Sequence, residues 1–69
     1  MALTPVSSSN LVAVGYDSST KILTIQFKNE IYEYYNVPSH VHFELMNAPS
    51  HGEYHAAHIK DFYSYRKVR

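Results

Sequence analysis

The chain has 69 residues, a formal net charge of zero at neutral pH and no cysteine. We therefore expect a single domain over residues 1–69, which neither a disulfide nor a thiolate metal site can stabilise. Apolar residues make up 45% of the sequence, which is usual for a globular fold and excludes a disordered chain. Residues 1–10 lack the features of a secretory signal, and no apolar run reaches the roughly 20 residues that span a bilayer. A soluble, cytoplasmic protein with no membrane partner is expected.

Three stretches in the first half of the chain have the pattern of β-strands. A polar arm, residues 1–9, precedes LVAVGY, which is apolar and β-branched. The next stretch, ILTIQFK, alternates apolar and polar residues with the period of two that indicates a half-buried strand. IYEYYNV predicts the third strand. Because the turns DSSTK and NE are short, the three strands should form an antiparallel meander.

The second half of the chain carries helix signals. Ser39, after Pro38, is a candidate N-cap for the helix HVHFELMNA. Ser50 and Glu53 match a capping box and predict a second helix over HGEYHAAHIKDFY. The fold class is therefore α+β: a three-stranded antiparallel β-meander followed by two helices packed on one sheet face. The predicted core consists of Val14, Leu23, Ile25, Phe27, Leu45, Ile59 and Phe62.

Tyr32 and Tyr34 are two positions apart, so their rings share one face of the third strand. Two interpretations stay open. Exposed rings would form a platform on which single-stranded bases stack. Buried rings would belong to the core and would need partners for their hydroxyls, for which Ser8 and Ser9 are candidates. The buried interpretation is favoured, because a domain this small buries only about 60% of its surface and needs its large rings.

The last ten residues form a basic end, although the chain as a whole is neutral. Four of the six cationic residues lie there, against one acidic residue, and tyrosines alternate with them. Cations contact phosphates and aromatic rings stack on bases, so this composition favours nucleic-acid binding. The alternative is a solvated C-terminal end; residues 64–69 are expected to form a tail or a short final extended piece. The candidate nucleic-acid-binding residues are Lys60, Tyr65, Arg66, Lys67 and Arg69.

Other candidate sites are weaker. Ser50, His51 and Gly52 open a helix whose free N–H groups could hold an anion, or Ser50 could serve only as a cap. The spacing of His51, His55 and His58 is compatible with zinc. Two of these histidines fall in the apolar stripe, however, so packed side chains are the better interpretation and no metal is predicted. No nucleophile elbow, carboxylate pair or phosphate-binding motif is present. We therefore predict no catalytic residues, no cofactor and no enzyme activity.

Several segments, taken in order, resemble the KTSC family: SSNLVAVGYD, LTIQF, the Y-x-Y of Tyr32 and Tyr34, NVP, NAPSHGEY and HIKDFY. The resemblance extends from about Val6 to Arg66. The family is named for the C-terminal extension of some lysyl-tRNA synthetases and includes stand-alone bacterial and phage proteins. One departure is KNEIYEY, where many members have glycine before the Y-x-Y strand. The association with a tRNA enzyme implies RNA binding.

The sequence thus predicts a small non-enzymatic binding module whose partner is RNA or another single-stranded nucleic acid. Two alternatives stay open. The first is a protein–protein adaptor, phage-encoded and acting on a host factor, that would use Phe43 and Met46 on an exposed helix flank. The second is a small nucleotide-binding protein that would use the anion site at Ser50, His51 and Gly52. The sequence does not specify the partner or the oligomeric state.

Overall fold

The fold is one five-stranded antiparallel sheet with two helices, in a computed structural model that describes residues 3–8 and 10–69. Ser9, one of the predicted hydroxyl partners, lies outside the described residues. The strand order in the sheet follows the chain order, and both helices come between the fourth and fifth strands. No helix of the described part is long and apolar enough to cross a membrane. The elements are β1 (Thr4–Pro5), β2 (Leu11–Asp17), β3 (Ile22–Phe27), β4 (Ile31–Tyr34), α1 (Ser39–Asn47), α2 (His51–His58) and β5 (Tyr65–Lys67).

The predicted α+β class and meander are confirmed in β2, β3 and β4, but the predicted number of strands is wrong. β1 pairs with β2 at one edge of the sheet, and β5 pairs with β4 at the other. Both added strands are too short to show an alternating pattern in the sequence. Pro5 is tolerated in β1 because that strand lies at an edge. The helices are therefore followed by a further strand, and the basic end is part of the sheet.

The core lies between one face of the sheet and the two helices. Leu23 and Ile25 of β3 are fully buried and belong to the same cluster as Val41 and Leu45 of α1. Tyr34 of β4 completes the sheet side of this cluster. The predicted alternation of β3 is thus confirmed, since its apolar side faces the helices. The other buried members of the cluster are Leu11, Val14, Val37 and Ile59.

Two of the predicted core residues differ from expectation. Phe27 is only partly buried and packs against the edge of the cluster. Phe62 is 66% exposed, so its assignment to the core is wrong. The reason is that α2 ends at His58, five residues before the predicted end of the helix. The N–H groups of Ile59 and Lys60 both bond to the carbonyl of His55, and the chain then turns.

The two helices begin differently. α1 begins at Ser39 with Pro38 as its N-cap and without a side-chain cap, so the predicted Ser39 cap is wrong by one residue. The carbonyl of Pro38 accepts the first bond, from the N–H of Val41 at 3.0 Å. The predicted cap of α2 is confirmed, because the Ser50 hydroxyl accepts a bond from the N–H of Glu53 at 3.2 Å.

Ser50→Ala is expected to lower the free energy of unfolding by about 1 kcal/mol, the usual loss when an N-cap hydroxyl is removed. The same change at Ser39 is the matched control, since α1 has no side-chain cap. Ser39→Ala should leave stability within about 0.5 kcal/mol of the parent. Urea denaturation of both variants gives the comparison. Equal midpoints for Ser50→Ala and the parent would contradict the assigned cap.

Candidate nucleic-acid interface

A cleft of about 780 Å³ lies between α2 and the edge of the sheet formed by β3, β4 and β5. Its volume is within the range of small-ligand pockets, about 300–1,000 Å³. The cleft exists because α2 has eight residues, roughly 12 Å of helix, and covers only part of the sheet. Aromatic residues of the sheet form one side, and Lys28 and Lys60 lie at its polar margin. The aromatic lining residues are Phe27, Tyr32, Tyr34 and Tyr65, together with His55 of α2.

Tyr34 and His55 form a buried hydrogen-bonded pair at the floor of this cleft. Their side chains are 3% and 8% exposed, and the Tyr34 hydroxyl lies 2.7 Å from His55 Nε2. Burial raises the pKa of Tyr34 to about 12. Burial, and secondarily the charge of Lys60, lowers the pKa of His55. Both side chains are therefore neutral at pH 7, and each satisfies the polar atom of the other.

Of the two serines expected to bond to the tyrosine hydroxyls, Ser8 lies in the described part of the chain, and it does not bond to Tyr34. The Ser8 hydroxyl accepts bonds from the N–H groups of Asn10 and Leu11, each at 3.3 Å. Such local bonds to nearby backbone are typical of serine before a strand. The prediction that Ser8 serves the Y-x-Y motif is thus wrong for Tyr34, whose hydroxyl bonds to His55. The prediction that Tyr34 is structural agrees with its burial.

β5 divides the basic end between the two faces of the sheet. Tyr65 pairs with Tyr34, and Lys67 with Tyr32, so these four side chains share the face that carries α2. Arg66 pairs with Glu33 and points to the opposite face. The cluster seen in the sequence is therefore not a single basic patch.

Tyr65 has the most accessible ring of the cleft. Its side chain is 58% exposed, and its ring centroid lies 5.7 Å from that of Tyr32 and 5.8 Å from that of Tyr34. Tyr32 is partly buried between Tyr65 and Phe27, whose ring it meets edge-on at 5.7 Å. The Y-x-Y pair is thus split: Tyr34 belongs to the core, and Tyr32 supports an exposed ring.

The predicted cations have different surroundings. Lys60 lines the cleft. Lys67 Nζ lies 3.2 Å from Glu30 Oε2 in an exposed ion pair, an arrangement that contributes little to stability. Arg69 is exposed at the end of the chain, where its carbonyl accepts a bond from the N–H of Ile31 at 3.0 Å. Of the five predicted residues, Lys60 and Tyr65 line the cleft and Lys67 is held at its rim.

Sequence reasoning missed Asn10, Phe27, Lys28 and His55 as lining residues of this cleft. The alternation of β3 assigned Phe27 to the core and left Lys28 as a surface residue. His55 was grouped with the other histidines of α2. The register between β3 and β4 and the place where α2 ends bring these residues together. Neither is visible in the local pattern of the sequence.

The side chains of the other candidate sites already have hydrogen-bond or ring partners within the protein. His51 Nδ1 lies 2.8 Å from the carbonyl of Leu45, and the Ser50 hydroxyl is occupied by its cap. A Cβ added to Gly52 would lie 3.0 Å from Asn10 Nδ2, so glycine permits a close approach of α2 to Asn10. His55 bonds to Tyr34, whereas the His58 ring packs at a tilt against the Tyr54 ring, with 4.6 Å between their centroids.

No group of three potential metal ligands occurs in residues 3–8 and 10–69. The absence of a bound metal stays a prediction. The apolar flank proposed for a protein partner is also divided, because Met46 packs against the core whereas Phe43 is exposed. Phe43 alone remains as a contact for a partner on α1.

Residues 7–65 match the protein family described as KTSC domain. Over 54 aligned positions, the chain is 43% identical to a lysine–tRNA ligase of Trichormus variabilis. The alignment covers 77% of this chain and 10% of the ligase. A lysine–tRNA ligase of Nostoc sp. is 41% identical over 61 positions, 87% of this chain and 11% of the ligase. The chain thus spans about a tenth of the length of these relatives.

The fold is shared with a solved structure. The crystal structure of a KTSC domain protein of Yersinia pestis superposes with a TM-score of 0.95 and 36% sequence identity. The superposition covers 99% of this chain and 97% of that one. Sequence and fold agree over nearly the whole length, and the chain belongs to the KTSC domain family.

Proposed function

We propose that this protein is a non-enzymatic module that binds single-stranded RNA in the cleft between α2 and the β3–β5 edge. The observation that carries the proposal is the exposed ring of Tyr65, which meets the Tyr32 ring edge-on in a cleft that Lys60 also lines. Stacking of a base on an aromatic ring contributes about 1–3 kcal/mol, and lysines contact the phosphates on either side.

The relatives support the choice of RNA. Two relatives, 43% and 41% identical to this chain over the matched positions, are lysine–tRNA ligases, and tRNA is an RNA. Single-stranded segments of an RNA leave their bases free to stack on an aromatic ring. Duplex RNA hides its base faces, and the six Lys and Arg residues of the chain are matched by six acidic residues, a balance that does not suit a duplex backbone. Unpaired RNA therefore fits the cleft best.

The charge balance predicts moderate, salt-sensitive affinity. Lys28 and Lys60 are the cations that line the cleft, so we expect about two phosphate contacts. Each contact with a single strand contributes about −0.7 to the slope of log K against log salt concentration. A slope of roughly −1 to −2 is therefore expected, far below that of a strongly basic protein.

Fluorescence anisotropy with a labelled ten-nucleotide RNA at several salt concentrations tests this proposal. The matched control is the same RNA annealed to its complement. We expect binding of the single strand with the shallow salt slope and weaker binding of the duplex. No binding of the single strand at 50 mM salt, or equal binding of the duplex, would overturn the proposal.

A second candidate function is contact with a protein, favoured by the 68% exposure of Phe43 on α1. An interaction of this type would depend little on salt, because it rests on apolar burial. Phe43→Ser would remove it and leave RNA binding unchanged. Measuring partner binding and RNA binding of Phe43→Ser therefore distinguishes the two functions.

A further inference from the structure

We infer that the cleft takes one nucleoside monophosphate unit, with the base against the Tyr65 ring and the phosphate between Lys28 and Lys60. This inference rests on the proposed function and specifies the unit of RNA that the site recognises. The volume of about 780 Å³ fits a ligand of nucleotide size. A duplex cannot enter a cleft with a helix on one side and a strand on the other.

The cleft has the two chemical sides that a nucleotide requires. The sheet side offers aromatic rings, of which Tyr65 is the exposed one. The polar margin offers Lys28 and Lys60, and the one ion pair found among the described residues involves neither of them. A flat base next to a phosphate is complementary to this combination of a ring and two cations.

Two acidic residues line the cleft and offset part of the positive charge of these lysines. They are Glu30 and Asp61. Glu30 forms an ion pair with Lys67, which does not line the cleft. The negative charge of Glu30 is therefore offset by a cation outside the lining. Lys28, Lys60 and Lys67 together carry three positive charges against the two carboxylates of Glu30 and Asp61, so a net charge of +1 remains around the cleft for a phosphate.

The nucleotide does not use the Ser50 and His51 side chains, although the start of α2 is the anion site expected from the sequence. Ser50 and His51 do not line this cleft, and their side chains are occupied by the cap and by the Leu45 carbonyl. Gly52 lines the cleft, where its lack of a Cβ allows α2 to pack closely against Asn10. The nucleotide is thus assigned to the ring-and-lysine cleft.

The test is a titration of the ¹⁵N-labelled protein with adenosine monophosphate, followed by NMR chemical shifts. Adenosine and inorganic phosphate are the matched probes, since each lacks one half of the nucleotide. We expect shifts at the amides of the cleft, with a dissociation constant of about 1 mM for the nucleotide and at least several-fold weaker binding of either half. The amide of Phe43, on α1 and outside the cleft lining, should not shift.

Variants test which residue contacts the base and which contacts the phosphate. Tyr65→Ala should weaken nucleotide binding about 5- to 100-fold, the range measured for loss of one stacking ring. Tyr65→Phe keeps the ring and should bind like the parent. Lys60→Gln, at an exposed position outside both helices and strands, should weaken binding of the nucleotide more than binding of adenosine. Melting temperatures of all variants show whether β5 stays folded.

The outcomes separate this inference from the function on which it rests. If single-stranded RNA binds but adenosine monophosphate shifts no cleft amide at 10 mM, about ten times the expected dissociation constant, the inference is wrong and the proposed function stands. If inorganic phosphate binds as tightly as the nucleotide, the cleft is an anion site and the inference is also wrong. If neither RNA nor nucleotide binds, both are overturned. Nucleotide shifts confined to the cleft and lost with Tyr65→Ala support it.

Discussion

Tyr34→Ala is expected to lower the free energy of unfolding by about 3–5 kcal/mol, the usual loss for a large buried ring. The ring is 3% exposed and packs in the core cluster with Leu23 and Ile25. A domain of this length has a total stability of roughly 3–10 kcal/mol. The variant should therefore lose a large fraction of its stability, measured as a lower midpoint in urea denaturation followed by circular dichroism.

Tyr34→Phe separates the hydroxyl from the ring. This variant keeps the packing but leaves His55 Nε2 without its partner in a buried position, at a cost of about 1–3 kcal/mol. Tyr65→Phe is the control, because the Tyr65 side chain is largely exposed. It should change stability by less than about 0.5 kcal/mol. A Tyr34→Phe variant as stable as the parent would contradict the structural role of the Tyr34–His55 bond.

Ile59→Ala is expected to destabilise the protein by about 2–5 kcal/mol, whereas Phe62→Ala should change stability by less than about 0.5 kcal/mol. Ile59 is fully buried in the core, and Phe62, three residues later, is 66% exposed. The comparison tests where α2 ends, because a helix continued to Phe62 would bury both side chains on one stripe. Equal losses in urea denaturation would show that the helix extends further.

The three central strands could be predicted from the sequence because one of their faces is buried. Leu23 and Ile25 alternate with more exposed residues over the whole of β3, and the structure buries them completely. The same period of two predicted that Tyr32 and Tyr34 share a face, which the pairing with β5 confirms. The cap at Ser50 could also be predicted, since it depends on residues three positions apart.

The edge strands and the end of α2 could not be predicted, because they depend on distant contacts. Residues 65–67 form a strand because the β4 edge and the Tyr32 and Tyr34 rings lie beside them. The helical pattern of the sequence continues to Tyr63, but Ile59 leaves the helical conformation with φ −122° and ψ −49°. A periodic pattern alone does not show where backbone geometry changes.

The candidate site was predicted in part. Lys60 and Tyr65 were expected to contact nucleic acid, and both line the cleft. Arg66 was grouped with them because it is adjacent in sequence, but in a strand adjacent residues point to opposite faces. Since the sequence left residues 64–69 as either a tail or a short extended piece, it could not separate Tyr65 from Arg66.

The affinities of Tyr65→Ala and Arg66→Ala for the same single-stranded RNA test the proposed cleft most directly. The two residues are neighbours in one strand but lie on opposite faces of the sheet. With melting temperatures close to that of the parent, we predict a loss of about 5- to 100-fold for Tyr65→Ala. Arg66→Ala should bind within about threefold of the parent, since it removes one exposed charge outside the cleft. If Arg66→Ala abolishes binding while Tyr65→Ala retains it, the RNA site lies on the other face and the proposal is wrong.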